Sequence, residues 1–436
     1  MRVSRYMGVM IVPSLFLLWL LPGALRAQTT TSDHTIRLYQ RMLERNSRDA
    51  RTYYRLGDAY IQKARESGDV TYFTLAEQAL RRALDIAPKL GGAVRHLAYV
   101  FYSRHEFDEA ANHAKKAIDL DPADGDAFGI LGDALSELGR YDKAEEAYNK
   151  MIQLEENLYS YSRLAGLKST RGDPSSAMAG LEQAIKAGKT AKRPAESIAW
   201  AQWQLGSEYF ALGNLKEAEA SYLQSLETYP NYYRALAGMA QIRTAQKRYD
   251  EAIHFYQKAI AIIPMPEYAA ALGDVFAKIG RPDEAKKLYD LVEYIGYLNT
   301  LNKVLYNREL AYFYADHDIK LKEGLELAKR ELEYRRDIYA YDVLAWNLYK
   351  NGKLDEALNA IKEALKLGTK DAKLYFHAGM IYRRMGEREK AEEYLRRALS
   401  TNPHFHIFHA DLAERTLREI EEQPSSVANS SKGDDH

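Results

Sequence analysis

Three histidines stand close together near the C-terminus, in the run Pro403-His404-Phe405-His406-Ile407-Phe408-His409. Imidazole suits zinc, copper or nickel, and His406 and His409 would share one face of a helix at that spacing. The tail adds Asp434, Asp435 and His436. A metal-binding accessory protein using His404, His406 and His409 is therefore one reading. Against it, Phe405 and Phe408 call for burial, which would make the histidines boundary residues of a terminal cap. No other site chemistry is written in the chain. There is no cysteine, so disulfides, zinc–thiolate centres and cysteine nucleophiles are excluded. A phosphate-cradling glycine loop, a nucleophile elbow and a paired-histidine zinc motif are all missing. Acidic pairs abound, but on helix surfaces where solvent satisfies them. The expectation is a protein with no catalytic activity and no cofactor.

The elements that carry these residues are set by a period. Ala76, Ala110 and Ala144 lie 34 residues apart, as do Ala218 and Ala252, and Ala357 and Ala391. Ala177, Ala285 and Gly324 take the same place after slightly altered spacings. Four residues on comes a leucine or tyrosine: Leu80, Tyr148, Leu181, Tyr222, Tyr256, Tyr289 and Leu395. Three further on comes a second small residue, as in Ala83, Ala117, Ala184, Ala259, Ala364 and Ala398. The preceding segment repeats a pair such as Leu56-Gly57, Leu131-Gly132, Leu205-Gly206 or Leu272-Gly273. A small residue there lets two helices approach closely, and the larger ring fills the space toward the next unit. Glycine in Gly139-Arg140-Tyr141, Gly213-Asn214-Leu215 and Gly352-Lys353-Leu354 can close a helix in the left-handed conformation. Asp108-Glu109 and Asp355-Glu356 then favour the dipole of the helix they start. Proline ends units at Pro88, Pro122, Pro230, Pro264 and Pro403.

This pattern resembles the tetratricopeptide repeat family, whose unit is a 34-residue helix–turn–helix. The resemblance runs from about Asp49 to Phe405 and accommodates ten units. It implies an all-α fold, an extended right-handed superhelical solenoid with terminal capping helices and contacts between nearest neighbours only. Three insertions interrupt the register, at Arg65–Thr71, Lys189–Glu196 and Tyr297–Lys303, and are expected in loops.

The resemblance also implies a function, the holding of another protein's extended or helical segment along the inner face. Transferring the family's inner-face positions to this chain assigns Tyr99, Tyr102, Trp200, Trp203, Phe210, Arg308, Tyr312, Trp346, Tyr349, Phe376 and Arg383 to the groove. Aromatic rings beside arginines suit a protein segment; the alternative is that such rings pack between repeats. Some members clamp a partner's C-terminal carboxylate with asparagine and lysine. The corresponding ninth positions include Asp58, Asp133, Ser207 and Trp346 but no asparagine, which argues against that mode.

Charge gives no sign of a nucleic-acid partner, with 61 basic against 61 acidic residues and no basic stripe. The N-terminus reads as an address. Arg2 and Arg5 precede an apolar run from Met7 to Leu25, followed by Arg26 and Ala27. That is the layout of a secretory signal cut between Ala27 and Gln28. An uncleaved membrane anchor is the alternative, since about 20 apolar residues span a bilayer. Cleavage would leave 58 basic against 61 acidic residues and no membrane span. An exported chain without disulfides fits a bacterial envelope, periplasmic or secreted. The expected organisation is signal 1–27, linker and capping helix 28–48, repeat array 49–405, capping helix 406–421 and disordered tail 422–436.

Overall fold

The structure, a computed structural model, describes residues 31–301 and 308–422. The signal segment, its cut site and the acidic tail lie outside the described residues, as does part of the third insertion. Among the described residues there are 22 helices and no strand. A single helix, α1 (Thr31–Arg45), opens the array. Ten pairs follow: α2 (Ala50–Ser67) with α3 (Thr71–Ile86), α4 (Gly91–Ser103) with α5 (Phe107–Leu120), α6 (Gly125–Glu137) with α7 (Tyr141–Leu154), and α8 (Leu158–Thr170) with α9 (Pro174–Thr190). Next come α10 (Ala195–Ala211) with α11 (Leu215–Thr228), α12 (Tyr233–Ala245) with α13 (Tyr249–Ile262), and α14 (Pro266–Lys278) with α15 (Pro282–Leu301). The last pairs are α16 (Arg308–Asp316) with α17 (Leu321–Tyr334), α18 (Ile338–Lys350) with α19 (Leu354–Leu365), and α20 (Ala372–Arg384) with α21 (Arg388–Thr401). The closing helix α22 (His409–Glu422) completes the chain. The ten units and both caps are those the period predicts, although α1 ends at Arg45, short of residue 48, and α22 starts at His409 rather than His406.

Five of the units share one locking contact. A Cβ added at Gly57, Gly132, Gly206, Gly273 or Gly379 would collide with Leu80, Tyr148, Tyr222, Tyr289 or Leu395 of the same unit's second helix. In three units the ring passes the glycine and its hydroxyl donates to the next residue of the first helix. Tyr148 reaches Asp133 at 2.9 Å, Tyr222 reaches Ser207 at 3.4 Å and Tyr289 reaches Asp274 at 2.8 Å. A buried ring with a satisfied polar end is what tyrosine supplies and phenylalanine does not, which accounts for part of the 33 tyrosines.

Curvature follows from which helices meet between units. First helices of most successive pairs touch one another, as α4 touches α6 and α10 touches α12, whereas among the described residues second helices make no contact of similar extent. The first helices therefore line the concave wall.

Two expectations are corrected here. The insertions lie only partly in loops: α2, α9 and α15 run to 18, 17 and 20 residues and take up part of them, while residues 68–70 and 191–194 stay outside helices. Nor are contacts confined to nearest neighbours. Arg336 N donates to Glu137 O at 2.9 Å and Ile338 N to Tyr141 Oη at 2.8 Å, joining units three and nine. Thr369 Oγ1 donates to Thr170 O, and Asn402 Nδ2 to Phe210 O at 2.8 Å. Gly68 of unit one faces Ile263, just before unit seven. The partners are six units apart each time, so successive turns of the superhelix rest on one another. Arg65 and Glu196, from the first two insertions, pair at 2.6 Å between units one and five.

The turn contact makes a graded demand on glycine. Gly139 and Gly352 both sit at positive φ, 70° and 74°. At Gly139 an added Cβ would run into the Arg336 carbonyl, while at Gly352 nothing lies within 4 Å. Gly352→Ala should cost about 1 kcal/mol from backbone strain alone. Gly139→Ala should cost about 1–3 kcal/mol more, by loss of the stacked turn. Urea unfolding of both variants measures the difference, and equal midpoints would mean the turns do not bear on one another.

Candidate functional site

In units one to five the concave wall keeps its rings partly open. Tyr54 stacks on His96 with centroids 5.1 Å apart, and Arg95 pairs with Asp124 at 3.0 Å. Tyr99, Tyr102, Trp200, Trp203 and Phe210 are all half-buried. The Arg234 guanidinium lies 5.0 Å over the Trp203 ring. Between two partly solvated aromatic stretches, Arg163 Nε meets both oxygens of Asp133 at 2.9 Å.

Where unit two meets unit eight, charged groups crowd together. Arg335, 4% exposed, pairs with Glu137 at 2.9 Å and with Glu331 at 3.2 Å. It also donates to His105 Nδ1 at 3.0 Å and lies 5.0 Å over the Phe107 ring. Arg308 adds contacts to Asp337 at 3.4 Å and to Glu331 at 3.7 Å. Burial, helped by Arg308, pushes the His105 imidazole down to about 4, leaving a neutral nitrogen to accept from Arg335. His105 itself sits at φ 65°, in the turn position that most units fill with glycine. Three carboxylates, Glu137, Glu331 and Asp337, face two guanidinium groups. Burial and the neighbouring Asp337 accordingly raise Glu137 to about 8, and burial raises Glu331 to about 7.

In units seven to ten the wall closes on itself. Asp274 accepts from Tyr289 and, at 2.8 Å, from His317 Nε2. Burial works against the His317 charge, but the hydrogen bond to Asp274 holds it above the usual range. Asp316 accepts from Trp346 Nε1 at 2.7 Å, and Asp342 from Tyr312 Oη at 2.7 Å and His377 Nδ1 at 2.8 Å. Trp346 is sandwiched between Tyr349 and His377, with centroids 4.9 and 4.2 Å away. His409 stacks on Phe376 at 4.8 Å and on His406 at 4.2 Å.

The sequence assignments divide accordingly. Trp346, Phe376 and Tyr312, expected as groove surface, are 1%, 0% and 8% exposed. Their rings fill the interior between units, the packing alternative that aromatic spacing alone leaves open. Arg308 belongs to the inter-turn network, while Tyr349 and Arg383 remain half-buried. Of the three histidines, His404 is exposed and apart. His406 lies in the turn before α22, where its Nδ1 accepts from the backbone of Phe408 and His409 at 3.2 and 3.3 Å. It therefore does not share a helix face with His409. The structure instead brings His409 to His377 and Asp316, one donor atom of each lying within 4.8 Å of the others. No local pattern links Asp316 and His377, which are single residues of two different units. The only trace in the sequence is that polar residues stand where the repeat normally places wall positions.

Models of the tetratricopeptide repeat match residues 96–157, 197–265 and 372–405. The TPR repeat-containing protein MJ1428 of Methanocaldococcus jannaschii is 25% identical over 319 residues, which cover 68% of this chain and 53% of that protein. The human protein O-mannosyl-transferase TMTC1 is 26% identical over 50% of this chain and 25% of its own length. The chain thus spans about half or less of the curated relatives it matches. Among solved structures, yeast Tom70 aligns over 89% of this chain and 92% of its own, at 14% identity and a TM-score of 0.39. The type IV pilus biogenesis factor PilW aligns over 50% and 99%, at 17% identity and a TM-score of 0.41.

The inter-turn network has a pH signature. Carboxyls raised by folding keep a proton that the unfolded chain releases above about 4.5. Their stabilising share is therefore complete below that value and is lost as pH climbs through 7 to 8. His105 is depressed, and its share is lost only as pH falls below about 6.5. Between pH 7 and 9 the carboxyls dominate. Over that interval the thermal midpoint of the native protein should fall more than that of Glu137→Gln, whose amide is neutral throughout; parallel falls would clear Glu137 of the effect.

Proposed function

Because the chain belongs to the tetratricopeptide repeat family, we propose that it is a non-catalytic scaffold or adaptor that works outside the cytoplasm. It holds a protein partner, as an extended or helical segment, in the concave groove of its N-terminal half. The observation that carries this reading is the difference between the two halves of the wall. Units seven to ten bury their rings against one another, whereas Tyr99, Tyr102, Trp200 and Trp203 on the first helices of units two and five stay half-buried and wettable. Tryptophan and tyrosine offer large contact area with few rotatable bonds, the property of residues that anchor interfaces. Arg95 and Arg234 sit among them, so the wall offers both apolar surface and directed charge.

Export is the second part of the proposal. It rests on Arg2, Arg5 and the apolar run from Met7 to Leu25, and on a cysteine-free chain that is stapled by packing alone. No helix of the described residues is long and apolar enough to cross a membrane. A bacterial periplasm, or secretion from it, is the compartment this combination favours.

Two measurements test these statements. In-cell crosslinking followed by affinity purification should recover a discrete partner. Changing Trp200 and Trp203 together to alanine should lower its affinity roughly thirtyfold, the equivalent of about 2 kcal/mol, with helical content intact. Equal recovery from both proteins would remove the groove from the function. N-terminal sequencing of the protein from its host should begin at Gln28, and a chain retaining Met1 would replace the secreted form with an anchored one.

A further inference from the structure

The interior of units eight to ten holds a group of polar atoms that packing does not explain. His377 is 0% exposed. Its Nδ1 donates to Asp342 at 2.8 Å, which leaves the lone pair of Nε2 outward from that bond, and Nε2 has no hydrogen-bond partner. His409 is 6% exposed, with no partner at Nδ1 and with Nε2 3.9 Å from Asp316 Oδ1. Buried polar atoms are ordinarily satisfied, and two buried imidazoles, each with one unpartnered nitrogen, grouped with one carboxylate are a donor set that suits a cation.

We propose that Asp316, His377 and His409 form a binding site for one divalent transition-metal ion, with zinc the best chemical fit. Two imidazoles and a carboxylate are a ligand set that zinc accepts, with one place left for water. The surrounding bonds are those a metal site requires. Asp342 fixes the His377 tautomer, as carboxylates do behind metal-bound histidines. Trp346 Nε1, at 2.7 Å, orients the Asp316 carboxylate. His409 is held in place by stacking between Phe376 and His406. Donor atoms around a tetrahedral zinc lie about 3.4 Å apart, given bonds of about 2.1 Å. The present spacing, within 4.8 Å, therefore needs a contraction of at most about 1.4 Å. Asp342 stands behind His377 as an outer carboxylate.

The three ligands come from three elements. Asp316 ends α16, His377 is in the middle of α20 and His409 begins α22. One ion would therefore tie the closing helix to units eight and ten, and its loss would loosen the C-terminal end first. The site stands apart from the N-terminal groove, so neither idea depends on the other.

The test uses the full, untagged chain after chelator treatment, dialysed against micromolar zinc sulfate, with bound metal counted per chain and the thermal midpoint read with and without zinc. One zinc per chain and a raised midpoint are expected. His377→Gln and His409→Gln should each weaken zinc at least tenfold and abolish the midpoint shift, with far-ultraviolet helicity retained. His404→Ala and His436→Ala should leave both unchanged. Because His409 lies outside the repeat pairs, its variant tests the site even if His377→Gln does not fold. The proposal is overturned by absence of bound zinc in the native chain at micromolar free ion, by undiminished binding in His409→Gln, or by loss of binding in His404→Ala or His436→Ala alone.

Discussion

Half of the units in this molecule are built on one close approach, a glycine of the first helix lying under a large side chain of the second. Where the ring is tyrosine, as at Tyr148, Tyr222 and Tyr289, the contact does two things. It fixes the distance between the helices, and it delivers a hydroxyl to the concave wall beside the glycine. In those three units the wall is therefore wired to the core. Asp133 and Asp274, which lie on the groove side, are held from behind by the rings that pack the unit, and from the front by Arg163 and His317. Rigidity of the array and chemistry of its inner face come from the same residues.

The second constraint is the return of the superhelix onto itself after six units. A simple solenoid is stabilised by neighbours alone and behaves as a one-dimensional chain of interactions. Here the turns of units one, three, four and five meet the junctions before units seven, nine, ten and the closing helix. Long-range contact of this kind couples the ends and makes unfolding more cooperative. It also places buried charge between the turns, where Arg335 holds Glu137, Glu331 and His105 together. Such a group contributes little net stability compared with apolar packing but is costly to half-remove. Its effect is to specify register between the turns.

These two constraints divide the wall between them. Toward the C-terminus the first helices close over their own aromatic and imidazole groups, so that Trp346 and Phe376 serve as core. Toward the N-terminus the rings stay accessible. A half-open aromatic surface and a self-filled interior thus lie on one continuous wall, built from equivalent positions of the same repeat.

Sequence alone determined the number of units, both caps and the partners inside each unit, because these contacts join residues 16 apart in most units and repeat with the period. The glycine–ring pair is legible wherever both members appear in register, as in Gly132 with Tyr148 or Gly379 with Leu395. It did not determine which wall aromatics are open, nor that His409 would meet Asp316 and His377 rather than share a helix face with His406. Only the tertiary structure decided those matters. The reason is that the path of a superhelix is the sum of small rotations, one per unit, and no local pattern records that sum. Whether Gly139 lies in solvent or under Arg336 depends on where six such rotations bring the next turn, and whether Trp346 is open or covered depends on how closely the units on either side of it pack.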